Sequence, residues 1–319
     1  MRLGPITLKY PLILAPLAGF TDLAFRRVCR DAGIELTYTE MISAKGLFFG
    51  GDKSLDLLVN HPDEMPLGVQ LFGNELEDFK KALVILEGER RFEALDINMG
   101  CPVKKIIRHG EGSALMRDPE KVYQIMKGLR AETQKTLSVK MRLGLSEDTI
   151  NVQEVSEAAE QAGVDFITVH GRTTDQLYRG VADWDSILEV KAKRSIPVFG
   201  SGDLFTLEEA KKRLNQGIDG LMLARGVLGN PFLIEEIITG KKKEITLEDK
   251  IHVARKHLLY YLEDQTKHGL AEFRAHLMHY FKGVRGGARF RGRLSELHSL
   301  EDFDRMMEEL IQLDSSKQE

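Results

Sequence analysis

Asn98 and Cys101 stand three residues apart in Leu95-Asp96-Ile97-Asn98-Met99-Gly100-Cys101-Pro102, an apolar run that stops at a glycine and a proline. Such a run reads as a buried strand that hands an amide and a thiol to the loop at its end. Pro102 fixes the backbone beside the thiol and points it outward. A lone intracellular cysteine is commonly structural, but the polar neighbours here weigh towards chemistry. Two later segments favour phosphate: Ser201-Gly202-Asp203 and Arg225-Gly226-Val227-Leu228-Gly229 offer backbone amides and a cation ahead of a helix. Glycine by itself only turns a chain. Together with Lys140 and Gln70, these loops suggest a phosphorylated planar cofactor such as FMN, a lysine near its pyrimidine edge stabilising the anionic reduced form. An ion pair with Glu40 in the barrel mouth is the plainer use of Lys140.

The elements that must position these residues alternate regularly. Short apolar runs at Leu12 to Ala15, Leu36 to Thr39, Leu67 to Leu71, Ala94 to Asn98, Leu137 to Met141, Phe166 to Val169, Pro197 to Phe199 and Gly220 to Leu223 are separated by longer amphipathic stretches. Val122, Ile125, Met126 and Leu129 share one helical face, as do Val152, Val155, Ala159 and Ala162. Eight βα units in roughly 240 residues are the size of a (β/α)₈ TIM barrel, an α/β fold whose sites lie at the C-terminal ends of the strands. Polar residues fall there repeatedly: Glu40, Gln70, Asn98, Lys140, Arg142, His170, Arg172, Ser201, Asp203 and Arg225. A doubly wound open sheet is the alternative, but no Gly-x-Gly-x-x-Gly follows the first strand.

Composition excludes several classes. The 319 residues, 42% hydrophobic and 29% charged, suffice for one large or two ordinary domains. Cys29 and Cys101 are the two cysteines, too few for a disulfide framework or a four-thiolate zinc site, and fit a reducing cytoplasm. Cys29 falls at helical spacing from Phe25 and is expected to pack within a helix. The apolar segment from Pro11 to Phe20 is broken by Pro16 and Gly19 and too short to span a bilayer. No His-Glu-x-x-His spacing occurs, and His276 and His279 sit among basic residues that would repel an ion, so no metal is expected. A cytoplasmic monomer is expected.

Beyond Thr239-Gly240-Lys241-Lys242-Lys243 the pattern turns helical, with Ile251, Ala254, His257, Leu258 and Tyr261 spaced for one packing face. Arg274, Lys282, Arg285, Arg289, Arg291 and Arg293 then accumulate with no acid between them, interleaved with Tyr280, Phe281 and Phe290. Cations with aromatics are what a phosphate backbone and unstacked bases would meet. A solvated helix face is the commoner origin of such a run. The net charge of −4 does not favour wholesale nucleic-acid binding, but the acids cluster later, from Glu296 to Asp314, leaving the basic patch its own local field. His109, with Arg108, is placed to touch phosphate or to be solvated.

Asp96-Ile97-Asn98-Met99-Gly100-Cys101-Pro102, with Ile106 and Gly112-Ser113 after it, resembles the signature of the tRNA-dihydrouridine synthases. The segments Ala15 to Asp22, Val69 to Gly73, Val139 to Arg142 and Val169 to Thr173 resemble it too, so the likeness spans roughly residues 1–240 and extends more loosely beyond. It implies an FMN-bearing (β/α)₈ barrel over 1–240 and a smaller all-α tRNA-binding domain over 247–319. Implied FMN contacts are Pro16, Leu17, Ala18, Gln70, Lys140, His170, Ser201, Gly202, Asp203, Ala224 and Arg225. Ser201 and Ala224 stand where the family commonly has asparagine and glycine. The implied reaction is hydride transfer from reduced FMN to C6 of a uracil, with Cys101 protonating C5 and NADPH, bound transiently, as reductant. A thiol suits that step because its ordinary pKa of about 8.5 keeps it mostly protonated at neutral pH. Asn98, Arg142, Arg172, Lys282, Arg285, Arg289, Arg291 and Arg293 would bind the RNA substrate, Asn98 at the uracil edge. Two other functions compete: an FMN barrel oxidoreductase acting on a free small molecule, resembling dihydroorotate dehydrogenase, and an RNA-binding protein whose barrel is a scaffold.

Overall fold

The structure, a computed structural model, describes residues 1–50, 52–89, 92–264 and 269–315. Eight parallel strands form its centre: β1 Leu12–Leu14, β2 Thr37–Ser43, β3 Leu67–Phe72, β4 Ala94–Met99, β5 Thr136–Met141, β6 Phe166–His170, β7 Val198–Ser201 and β8 Gly220–Leu223. Each pairs with its sequence neighbours, β8 returns to β1, and a bridge from Ile13 to Leu36 closes the ring. Their residues are buried almost without interruption, as expected of parallel strands covered on both faces. A helix follows every strand: α1 Leu23–Asp31, the short α2 Ala44–Phe48, α3 Leu76–Glu89, α4 Pro119–Glu132, α5 Val152–Gln161, α6 Trp184–Lys193, α7 Leu207–Asn215 and α8 Phe232–Thr239. The chain is therefore a (β/α)₈ barrel with a helical C-terminal region.

Local chemistry sets the helix starts. Asp22 caps α1 by accepting from the Phe25 amide at 2.8 Å, Asp118 caps α4 ahead of Pro119, and Thr206 with Glu209 makes a capping box on α7. The faces spaced for burial are buried: Val122, Ile125, Met126 and Leu129 on α4, and Val152, Val155 and Ala159 on α5 with Ala162 at its cap. Cys29 packs inside α1.

Two features depart from the sequence pattern. β2 runs on through Glu40 and Met41 to Ser43, with a register shift between Tyr38 and Met41. A two-stranded hairpin, Arg2–Leu3 with Ile6–Thr7, precedes the barrel. It puts Leu3 and Ile6 against Ile13, Tyr38, Phe166, Phe199 and Met222, the inward side chains at the lower end of the barrel. Burying each of these apolar side chains contributes roughly 1.5–3 kcal/mol.

After α8 the chain continues into α9 Leu247–Glu263, α10 Phe273–Tyr280, α11 Gly287–Gly292 and α12 Leu300–Ser315, and residues 316–319 lie outside the described ones. Ala254, His257, Leu258 and Tyr261 of α9 are buried, and Ile251 packs on the same core. This core includes Ala24 of α1, along which α9 docks. Arg27 of α1 pairs with Glu263 and Asp264 at 3.2 and 3.1 Å and lies 3.8 Å over the Tyr260 ring. Among the described residues no helix is long and apolar enough to cross a membrane.

Candidate active site

A cavity of about 680 Å³ opens at the C-terminal ends of the strands. Pro16, Leu17, Ala18, Gln70, Asn98, Cys101, Lys140, Arg142, His170, Ser201, Gly202, Asp203, Ala224 and Arg225 all line it, delivered by seven of the eight strands and the turns after them. Lys282 and His279 reach it from the helical region. Two glycines allow the turns around it. Gly202 has φ +125°, and a Cβ on Gly226 would stand 1.9 Å from the Leu204 carbonyl oxygen.

The Cys101 loop is braced from both sides. Asn98 Oδ1 accepts from the amides of Gly100 and Cys101 at 3.1 and 2.8 Å, and Arg142 Nε donates to the Gly100 carbonyl at 2.8 Å. Asn98 Nδ2 donates to Gln70 Oε1 at 2.7 Å, and Gln70 Nε2 donates to Asp96 Oδ2 at 2.6 Å. Asp96 Oδ1 accepts from Ser138 Oγ at 2.6 Å, and Ser138 Oγ lies 3.3 Å from the Tyr38 hydroxyl. Strand register explains the chain of contacts: Gln70 and Ser138 are the partners of Asp96 on β3 and β5, and Asn98, two residues on, faces the same side.

Charge in the cavity is strongly positive. Lys140 makes no hydrogen bond or ion pair among the described residues. It does not pair with Glu40, which accepts from the Gly19 amide at 2.7 Å. Burial lowers the Lys140 pKa to about 8, Arg142 adding to the fall and Asp96 and Cys101 opposing it. Burial and then the charges of Lys140, Arg142, Arg172 and Arg225 hold His170 neutral, with a pKa near about 2. Asp96 moves the other way, raised to about 6 by burial against the hydrogen bonds of Ser138 and Gln70 and the charge of Lys140. Burial pushes the Cys101 thiol up as well, opposed by the Val103 amide, Arg142 and Lys140.

This donor set fits FMN: a buried ammonium with no direct ion pair among the described residues and an amide side chain suit a planar anionic ring edge, and glycine turns beside Arg225 suit a phosphate. Phe20 and Met41 also line the cavity, as do Tyr178 and Phe205, which were not expected from the sequence. Arg225 lies 4.2 Å from the Tyr178 ring and 5.6 Å from that of Phe205. The one available signal for Tyr178 was an aromatic in the long loop after β6.

Several expected substrate contacts are placed otherwise. Arg172 is buried and does not line the cavity, its guanidinium held by Asp203 at 2.7 and 2.8 Å and by the carbonyls of Arg179 and Gly180. Arg142 spends Nε and one Nη on loop carbonyls, leaving the other Nη for a ligand. Asn98, already bonded at both ends, keeps one N–H near Met41 Sδ at 3.7 Å. Tyr280, Phe281 and Phe290, expected to meet bases, are core side chains of the helical region. Arg293 is paired with Glu296 and Glu309, and Arg291 donates to the Phe281 carbonyl at 3.0 Å. Lys282, Arg285 and Arg289 remain exposed and without an ion pair among the described residues.

His276, expected amid cations, is buried with Nε2 3.2 Å from Asp22 Oδ2. With His257 these two residues bring three potential ligand atoms within 4.8 Å of one another. Asp22 already spends its oxygens on the Phe25 amide and on His276.

A family model described as dihydrouridine synthase matches residues 13–316. A probable tRNA-dihydrouridine synthase 1 of Synechocystis is 36% identical over 318 residues, covering 98% of this chain and 89% of its own. The tRNA-dihydrouridine synthase B of Pasteurella multocida is 36% identical, covering 91% of this chain and 90% of its own, and that of Pseudomonas aeruginosa is 34% identical, covering 93% and 91%. Among solved structures, a complex of 2-naphthoyl-CoA reductase with 2-naphthoyl-CoA superposes with a TM-score of 0.57 at 12% identity, covering 76% of this chain and 52% of that one, a likeness of fold alone.

Proposed function

The chain belongs to the dihydrouridine synthase family, and from that premise we propose that it saturates the C5–C6 double bond of uridines in tRNA with Cys101 as proton donor. FMN held in the cavity and reduced by NADPH supplies the hydride when bound. The C5–C6 π bond is lost, the hydride forms the new C6–H bond, and the Cys101 proton forms the new C5–H bond. The observation that carries this reading is the state of the thiol. At 7% exposure and with its pKa pushed up by burial, Cys101 keeps its proton at neutral pH, which suits an acid. The Val103 amide and the charges of Arg142 and Lys140, which oppose that upward shift, stabilise the thiolate left after transfer. Water entering by the mouth returns the proton.

Pro16, Leu17, Ala18, Gln70, Lys140 and the turns at 201–203 and 224–226 would hold the cofactor, His170 contributing a neutral imidazole. The free Nη of Arg142 and the remaining N–H of Asn98 would meet the base. A uridine must leave its stack to reach them, so the RNA needs a separate grip. Lys282, which lines the cavity, and the exposed Arg285 and Arg289 that follow it in sequence supply cations that a reductase of free small molecules would not use. Replacing these three by Ala should flatten the salt dependence of tRNA binding by about 2–3 in log–log slope, measured by filter binding. Arg293→Ala, already compensated, should leave the slope unchanged.

The deciding experiment is spectroscopic. The purified protein should be yellow or take up FMN, bleach with NADPH without oxygen, and be reoxidised by unmodified tRNA with dihydrouridine formed. Flavin that bleaches but ignores tRNA would overturn the proposal.

A further inference from the structure

We propose that Asp96 is a positioning residue that sets the polarity of two amide side chains and thereby places the Cys101 thiol. Its importance for turnover rests on Cys101 being the proton donor, but its effect on the loop does not.

Amides of glutamine and asparagine can sit either way round, and only their neighbours decide which end is the oxygen. An ionised carboxylate is an acceptor only, so Asp96 requires Gln70 to present Nε2. Gln70 Oε1 then faces Asn98 and requires Nδ2 there, which turns Asn98 Oδ1 towards the amides of Gly100 and Cys101. Were Gln70 reversed, Asn98 would reverse with it, and its NH₂ would confront the two loop amides, donor against donor. One carboxylate at 1% exposure, inside the barrel, thus dictates the backbone position of the reacting thiol five residues later. Ser138, Tyr38 and Lys140 are the other polar groups around it, and Ser138 occupies the second carboxylate oxygen, which keeps the first for Gln70.

Three roles for Asp96 make different demands. A polarity-setting residue needs an oxygen facing Gln70, which Asp96→Asn can still supply and Asp96→Leu cannot. A counter-charge for Lys140 is lost in both variants, and a space-filling residue is replaced in both. The readout is iodoacetamide labelling of the two thiols in the flavin-free protein, resolved by peptide mass. Cys29, fully buried in α1, reacts only if the chain unfolds and reports folding within the same sample.

Asp96→Leu should speed Cys101 labelling by about 10-fold or more through local opening of the loop, with Cys29 still protected. Asp96→Asn should stay within about 3-fold of the native rate. Equal acceleration in both variants would assign Asp96 to charge, and native rates in both would assign it to packing. Either result overturns the proposal, whatever the substrate of the enzyme proves to be. Should Asp96→Leu expose Cys29, Gln70→Leu takes its place, because it cuts the same chain one residue later. Labelling of Cys101 at the native rate would then overturn the proposal, and acceleration with Cys29 protected would support it.

Discussion

Two buried polar clusters, one beneath the cavity and one where the barrel meets the helical region, solve different problems. From Asp96 through Gln70 and Asn98 to the Cys101 amide, each contact dictates the orientation of the next. At the joint, His276 bonds Asp22 and His257 Nδ1 lies 3.1 Å from the Tyr280 hydroxyl, while His257 Nε2 has no hydrogen-bond partner among the described residues. Rings do most of the holding there: His257 and His276 pack at 4.5 Å between centroids, with Phe25 and Phe273 around them. A satisfied hydrogen-bond network fixes a unique arrangement, whereas ring packing secures two surfaces without fixing one atom. The first kind lies where a single atom must be placed, and the second where two faces need only stay together.

The comparison is sharpened most by removing the thiol proposed to react. Cys101→Ala should lower turnover about 10²–10⁴-fold with flavin binding and melting temperature nearly unchanged, measured by single-turnover reoxidation. The next largest effect concerns what the cavity network costs. Asp96 has a folded pKa raised to about 6, so its ionised form is disfavoured in the fold above that pH and the penalty vanishes below its unfolded value near 4. Asp96→Asn should therefore raise stability by up to about 3 kcal/mol at pH 7 but not at pH 4, as urea titrations at the two values would show. No gain at pH 7 would mean that the carboxylate is better solvated than its burial indicates.

The joint is tested by His276→Leu, which strips Asp22 of its partner and should cost about 1–3 kcal/mol while leaving Cys101 labelling unchanged. Acceleration of that labelling would mean that the two clusters are coupled. The smallest effect is the pH slope. His170 and His257 are held neutral, both first by burial, and His170 then by the charges of Lys140, Arg142, Arg172 and Arg225. The unfolded chain binds more protons below about pH 6.5, so stability should fall with acidity there, by up to about 1.4 kcal/mol per pH unit for each residue. His170→Gln should remove the cavity's share and His257→Gln that of the joint.

Much of this was legible in the residues. Gly100 and Pro102 announce the end of β4, although the thiol they were expected to point outward is buried in the cavity wall, and the eight apolar runs locate the barrel because strands buried on both faces can be little else than apolar. What pairing decides was hidden. Arg172 reads as a strand-end cation like Arg142, and only the fold puts Asp203 beside it. Arg293 looks free until α12 brings Glu309 alongside, and Tyr280, Phe281 and Phe290 look like a stacking surface until α10 and α11 turn them inward. Asp96 was visible only as part of a signature. Nothing local tells that a carboxylate in an apolar strand orients two amides on neighbouring positions.

The N-terminal hairpin has a consequence for traffic. Leu3 and Ile6 pack into the core beneath the barrel, so on the proposed function the reductant of the cofactor and the RNA would share the opening at the C-terminal ends of the strands. Visitors then take turns. Steady-state rates measured against one substrate at several fixed levels of the other should give parallel double-reciprocal lines, a kinetic pattern traceable to two apolar residues far from any reacting atom.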